Sequence, residues 1–118
     1  MSHVLVVCAQ KYNGHELWTA LGIIQQAGHT FEVVSTETLI RDELTLRPNT
    51  IKRTVYEVSE DELDSFDGIM IVSGNMKDTE AYWDDKKVLS LIEGTNNRGN
   101  AVAAICCSVP TIRYAAEG

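Results

Sequence analysis

A three-layer α/β sandwich around a parallel sheet is the fold this sequence predicts. Apolar runs recur at residues 3–8, 67–73 and 101–106, each reading as a strand covered on both faces. Helical patterning separates them, as the crossovers of a parallel sheet require. With 118 residues, 44% of them hydrophobic, the chain is expected to form a single soluble domain with a real core.

Taken in order, HVLVVC at residues 3–8 is the first buried strand. Residues 16–27 follow as a helix with Leu17, Leu21 and Ile24 as its apolar stripe, and Gly28 stands where a left-handed residue ends it. Residues 31–35 form a second strand. Residues 36–50, polar and containing Pro48, are expected to run over the surface. Residues 51–58 alternate in part, through Ile51, Val55 and Val58, and are expected to form an edge strand. Ser59-Glu60-Asp61-Glu62 is a capping-box sequence that opens a short helix.

DGIMIVS at residues 67–73 is the next buried strand, ending in Gly74-Asn75. A helix is expected over residues 84–93, with Asp84 and Asp85 in its first turn and Val88, Leu91 and Ile92 facing inward. Asn96-Asn97-Arg98-Gly99 is a turn, and a strand over residues 101–106 leads into a final helix. The chain carries no repeat, low-complexity stretch or linker. This alternation is that of a flavodoxin-like sheet, whose active sites lie outside the carboxyl ends of the strands. Those ends carry Cys8-Ala9-Gln10, Ser73-Gly74-Asn75 and Cys106-Cys107, so residues distant in sequence converge in space.

A formal charge of −7 argues against nucleic acid or an anionic membrane as partner. No apolar run approaches the roughly 20 residues of a membrane span, and Met1-Ser2-His3 lacks the basic start of a signal peptide. Three cysteines, two of them adjacent, do not make a disulfide framework, so a reduced, cytoplasmic setting is expected. No cofactor-binding or metal-binding pattern stands out, and neither group is expected.

The chemistry concentrates where the last strand meets the last helix, at Ile105-Cys106-Cys107-Ser108-Val109-Pro110. A sharp strand-to-helix turn holds a nucleophile above the sheet edge, and the positive end of the helix favours a thiolate there. If Cys107 caps the helix, Pro110 is its third residue, whose N–H has no intrahelical partner in any case. If Cys106 caps it, Pro110 is the fourth, and its missing N–H removes the first helical hydrogen bond. Cys107 is therefore the expected nucleophile, with Cys106 the alternative. The blander reading makes both cysteines small hydrophobes of the core, which is the reading adopted for Cys8. Glu16, in the first turn of the first helix, either complements the helix dipole or reaches the thiol and exchanges a proton. Gly74 either ends its strand in a turn or offers a backbone N–H to an oxyanion. His15 and His29 are read as solvated surface residues.

Three segments together resemble the ThiJ/PfpI superfamily, relatives of the class I glutamine amidotransferase domain. Val4-Leu5-Val6-Val7 with His15-Glu16-Leu17 and Gln25-Gln26-Ala27-Gly28 is similar to the family's opening strand, acidic residue and helix end. Residues 66–75 are similar to its Y-D-x-x-x-x-P-G-G segment, and Ala103-Ala104-Ile105-Cys106-Cys107-Ser108-Val109-Pro110 to its A-A-I-C-x-G-P elbow.

The resemblance implies a cysteine nucleophile assisted by Glu16, with Gly74 and the Ser108 amide as oxyanion donors. It implies 2-oxoaldehyde chemistry (glyoxalase or deglycase) or amide hydrolysis (amidase or protease), on a small carbonyl or peptide substrate. The rival class is a redox-sensing or chaperone-like protein whose cysteine oxidises and turns nothing over. Alignment on Ala-Ala-Ile selects Cys106, and alignment on C-x-x-P selects Cys107. Family domains continue beyond the elbow helix with further strands and a histidine. The chain therefore reads as the first two-thirds of the family domain, its sheet expected to be completed by a second copy or a companion chain.

Overall fold

The structure, a computed structural model, describes residues 2–75, 77 and 85–104. Four strands form one parallel sheet in the order β3-β1-β6-β7: β1 is His3–Cys8, β3 is Thr30–Val34, β6 is Gly68–Val72 and β7 is Ala101–Ala104. Helix α1 (Gly14–Gln26) connects β1 to β3, and α2 (Lys86–Asn97) precedes β7. The parallel flavodoxin-like sheet expected from the apolar runs is thus present.

β1 lies between β3 and β6 and explains its own sequence. Val6 and Cys8 face one layer with Leu17, Leu21 and Ile24 of α1. Leu5 and Val7 face the other, with Val88, Leu91 and Ile92 of α2. Both faces are buried, so no polar alternation survives. Each buried aliphatic side chain of this kind contributes about 1.5–3 kcal/mol.

Helix α1 starts at Gly14, two residues before the expected boundary, because Asn13 caps it: its side chain accepts from the Glu16 N–H at 3.1 Å. Gly28 takes φ +81° just past the helix end, the conformation expected of it. Helix α2 is capped by Asp85, which accepts from the N–H groups of Lys87 and Val88. It runs to Asn97, past the expected end at residue 93, because Gly94 and Thr95 are buried and the Thr95 hydroxyl bonds back to the Leu91 carbonyl at 2.8 Å. The turn is therefore confined to Arg98 and Gly99.

Two expectations are corrected. Residues 36–50 do not simply run over the surface. They supply β4 (Leu39–Asp42) and β5 (Pro48–Thr50), which pair antiparallel, while β2 (Lys11–Tyr12) pairs parallel with β4. Ile40 is the anchor, 2% exposed in a stretch whose other apolar residues, Leu39, Leu44 and Leu46, are exposed, and Pro48 is tolerated as the first residue of a short edge strand. Residues 51–58 form no edge strand either. Thr54 makes one bridge to Ser35, and Val55–Glu57 turns as a 3-10 helix. Val55 and Val58 are both buried three residues apart, a helical spacing rather than a period of two. Glu60–Ser65 is the short helix expected after the capping sequence, in 3-10 form, with the Glu62 carboxylate accepting from the Ser59 N–H at 2.7 Å.

Candidate active site

β1 and β6 are neighbours whose onward connections leave in opposite directions, β1 through α1 to β3 and β6 toward α2 and β7. The two helices pack on opposite faces. That divergence opens a crevice at the carboxyl ends of β1 and β6, the place where open α/β sheets bind ligands.

Glu16 and Ser73 meet there. Ser73 follows the last residue of β6 and is 3% exposed; its hydroxyl donates to Glu16 Oε2 at 2.7 Å, a short bond to a carboxylate oxygen. The Asn13 N–H donates to the Ser73 carbonyl at 3.1 Å, and the Asn13 side chain in turn accepts from the Glu16 N–H. Three residues from two elements close a ring of hydrogen bonds. Glu16 Oε1 accepts no hydrogen bond from a described residue.

Gly74 lies beside this ring, bridged antiparallel to Tyr12, with the Asn75 N–H donating to the Lys11 carbonyl at 2.8 Å. A Cβ at residue 74 would be driven into the Lys11 carbonyl oxygen and to 2.7 Å from Tyr12 Cα. Only glycine permits so close an approach. A cavity of about 330 Å3 opens beside Glu16, lined also by His15, Thr19, Ile23 and Met70. His15 is exposed, as read from the sequence.

Cys8 ends β1 at the same edge yet is sealed in the core, 0% exposed. Burial above all pushes its thiol up to about 12, against the opposing influence of a Ser35 hydrogen bond. Near neutral pH it is a protonated thiol and no nucleophile. Cys106, Cys107 and Ser108 lie outside the described residues. Of the residues singled out from the sequence, Glu16 and Gly74 come to one edge. Ser73 joins them, unmarked as a site residue by the sequence reading. Its signal was a hydroxyl closing an apolar strand. Among the described residues no three His, Cys, Asp or Glu side chains gather as metal ligands, and no helix is long and apolar enough to cross a membrane.

The profile of the DJ-1/PfpI family matches residues 2–117. The chain belongs to the DJ-1/PfpI family. Among sequences, an uncharacterized protein of Methanocaldococcus jannaschii is 26% identical over 105 residues, covering 89% of this chain and 49% of that protein. Among solved structures, a ThiJ/PfpI domain protein from Brachyspira murdochii superposes with a TM-score of 0.82 at 23% identity, over 96% of this chain and 63% of that one. Drosophila melanogaster DJ-1beta gives 0.80 at 18% identity, over 98% and 61%. This DJ-1/PfpI chain thus spans about half the length of its sequence relative and under two-thirds of both structures.

Proposed function

We propose that this DJ-1/PfpI chain is a cysteine-dependent enzyme acting on a small carbonyl compound or an amide. The observation that carries the reading is the Glu16–Ser73 hydrogen bond at the crevice where β1 and β6 diverge. β7 runs parallel beside β6, with Ala104 level with Ile71, so the chain leaves β7 at the edge where β6 delivers Ser73. Cys106 and Cys107 follow Ala104 by two and three residues.

The chemistry follows from those groups. The Cys107 thiolate adds to the carbonyl carbon, and the carbonyl electron pair moves to oxygen. Backbone N–H groups at Gly74 and Ser108 stabilise that oxyanion. Glu16 moves the proton. With a 2-oxoaldehyde the adduct is a hemithioacetal. Proton transfer between its two oxidised carbons, then hydrolysis, gives a 2-hydroxy acid and returns the thiol. With an amide the same addition expels the amine and leaves a thioester for water.

Methylglyoxal consumption and lactate formation by wild type, Cys107→Ala and Cys106→Ala test this. Turnover by wild type and Cys106→Ala, with loss of at least about 100-fold in Cys107→Ala, is expected. Equal turnover in all three would overturn the glyoxalase reading. No turnover with methylglyoxal or a peptide amide, together with peroxide-dependent mass gain at Cys107, would replace it with an oxidisable sensor.

A further inference from the structure

We infer that Ser73 is a positioning residue for Glu16, its hydroxyl presetting the carboxylate that handles the proton. The inference rests on the reading of Glu16 just proposed. A glutamate carries three rotatable bonds, and a solvated one scatters over many rotamers. Here the flexibility is removed at both ends. The backbone N–H of Glu16 is held by Asn13, the Asn13 N–H is held by the Ser73 carbonyl, and the carboxylate is held by the Ser73 hydroxyl. The ring closes on a residue 57 positions away in sequence, so it fixes α1 against the end of β6 rather than stiffening either alone.

The division of labour between the two carboxylate oxygens gives the device its meaning. Oε2 is occupied by Ser73, and Oε1 accepts nothing from a described residue. One oxygen anchors while the other stays available for a transferable proton, and preset geometry of that kind lowers the entropic cost of proton transfer. A buried serine hydroxyl could be satisfied by a backbone carbonyl of its own strand, yet this one reaches across the crevice to an acid. Asn13 and Gly74 hold the surrounding backbone, and among the described residues His15 is the other titratable group lining the adjoining cavity.

The test uses the full chain as wild type, Ser73→Ala, Ser73→Thr and Glu16→Gln, with thermal unfolding to confirm that each is folded. Two readouts are followed. In methylglyoxal turnover, Ser73→Ala is expected to lose about 10-fold or more in kcat with KM within about two-fold, and Ser73→Thr, which keeps the hydroxyl, to recover most of it. In 13C NMR of glutamate-labelled protein at pH 7, with the Glu16 carboxyl resonance assigned by its absence in Glu16→Gln, that resonance is expected to move in Ser73→Ala, which loses the hydrogen bond, and to keep its wild-type position in Ser73→Thr.

An unmoved Glu16 carboxyl resonance in folded Ser73→Ala overturns the inference, whether or not the protein turns over methylglyoxal. A moved resonance together with no Cys107-dependent turnover supports the Ser73 contact and defeats the enzymatic reading instead. If Ser73→Ala does not fold, Ser73→Thr carries the test: a resonance away from the wild-type position in that folded variant would overturn it.

Discussion

Gly74 leaves no room for a side chain, because the atoms a Cβ would meet are backbone atoms of Lys11 and Tyr12 that cannot rotate away. Gly74→Ala is therefore expected to push β2 off the end of β6 and to cost about 1–3 kcal/mol, measured by urea unfolding. A loss below about 0.5 kcal/mol would show that the approach is looser than described. Cys8 supplies a second check. Its raised pKa and complete burial predict that alkylation of native protein at pH 8 leaves it unmodified, with labelling only after denaturation. At this scale the sequence was informative about residue types and silent about partners. Glu16 and Gly74 stood out because they fall on the acidic residue and the glycine of the segments that resemble the family. Ser73 did not, because a serine at a strand end is ordinary until the acid opposite it is seen.

Helix α2 shows what a single cap does for an element. Asp85 accepts two backbone N–H groups with one carboxylate oxygen and the Tyr56 hydroxyl with the other, at 2.8 Å. Asp85→Ala is expected to cost about 1–2 kcal/mol in chemical unfolding, and an unchanged midpoint would contradict that role. Elements with strong internal patterning were legible: β1, α1, β6 and α2 all follow from apolar period and capping residues. Boundaries slipped where tertiary contacts decide them, as at the buried Gly94-Thr95 that lengthens α2. The β4–β5 ribbon was missed because one buried isoleucine, Ile40, carries it. Residues 51–58 were misread because Val55 and Val58 fit a helical spacing that a window dominated by polar residues obscures. The cysteine elbow, the strongest sequence feature, falls outside the described residues.

For the whole molecule, the layers are tied by charge as well as by the core. Arg53 bonds Glu32 of β3 through two nitrogens and Glu62 of the 3-10 helix through a third, all at 2.7–2.9 Å. The Ser59 N–H and then Arg53 hold the Glu62 carboxyl below its ordinary value of 4.5. The Thr45 and Leu44 N–H groups hold Asp42 below its ordinary 3.8. A carboxyl with a depressed folded-state pKa stabilises above its unfolded value, and that contribution is lost as pH falls through the folded one. The urea midpoint is thus expected to fall between about pH 5 and 3, and to fall less in the Glu62→Gln, Asp42→Asn double variant. An equal fall in both would place the acid sensitivity elsewhere.

The proposed function has the acid at the switch point of the parallel sheet activate a cysteine, and site-resolved alkylation tests that most directly. Native wild type and Glu16→Gln are treated with iodoacetamide from pH 5 to 9, and the rates at Cys106 and Cys107 are read by peptide mass spectrometry. Labelling of Cys107 near neutral pH, with a rate that Glu16→Gln changes by about 10-fold or more, is expected. A Cys107 that stays unmodified until the protein unfolds, or one whose rate profile ignores Glu16, would contradict the proposed chemistry.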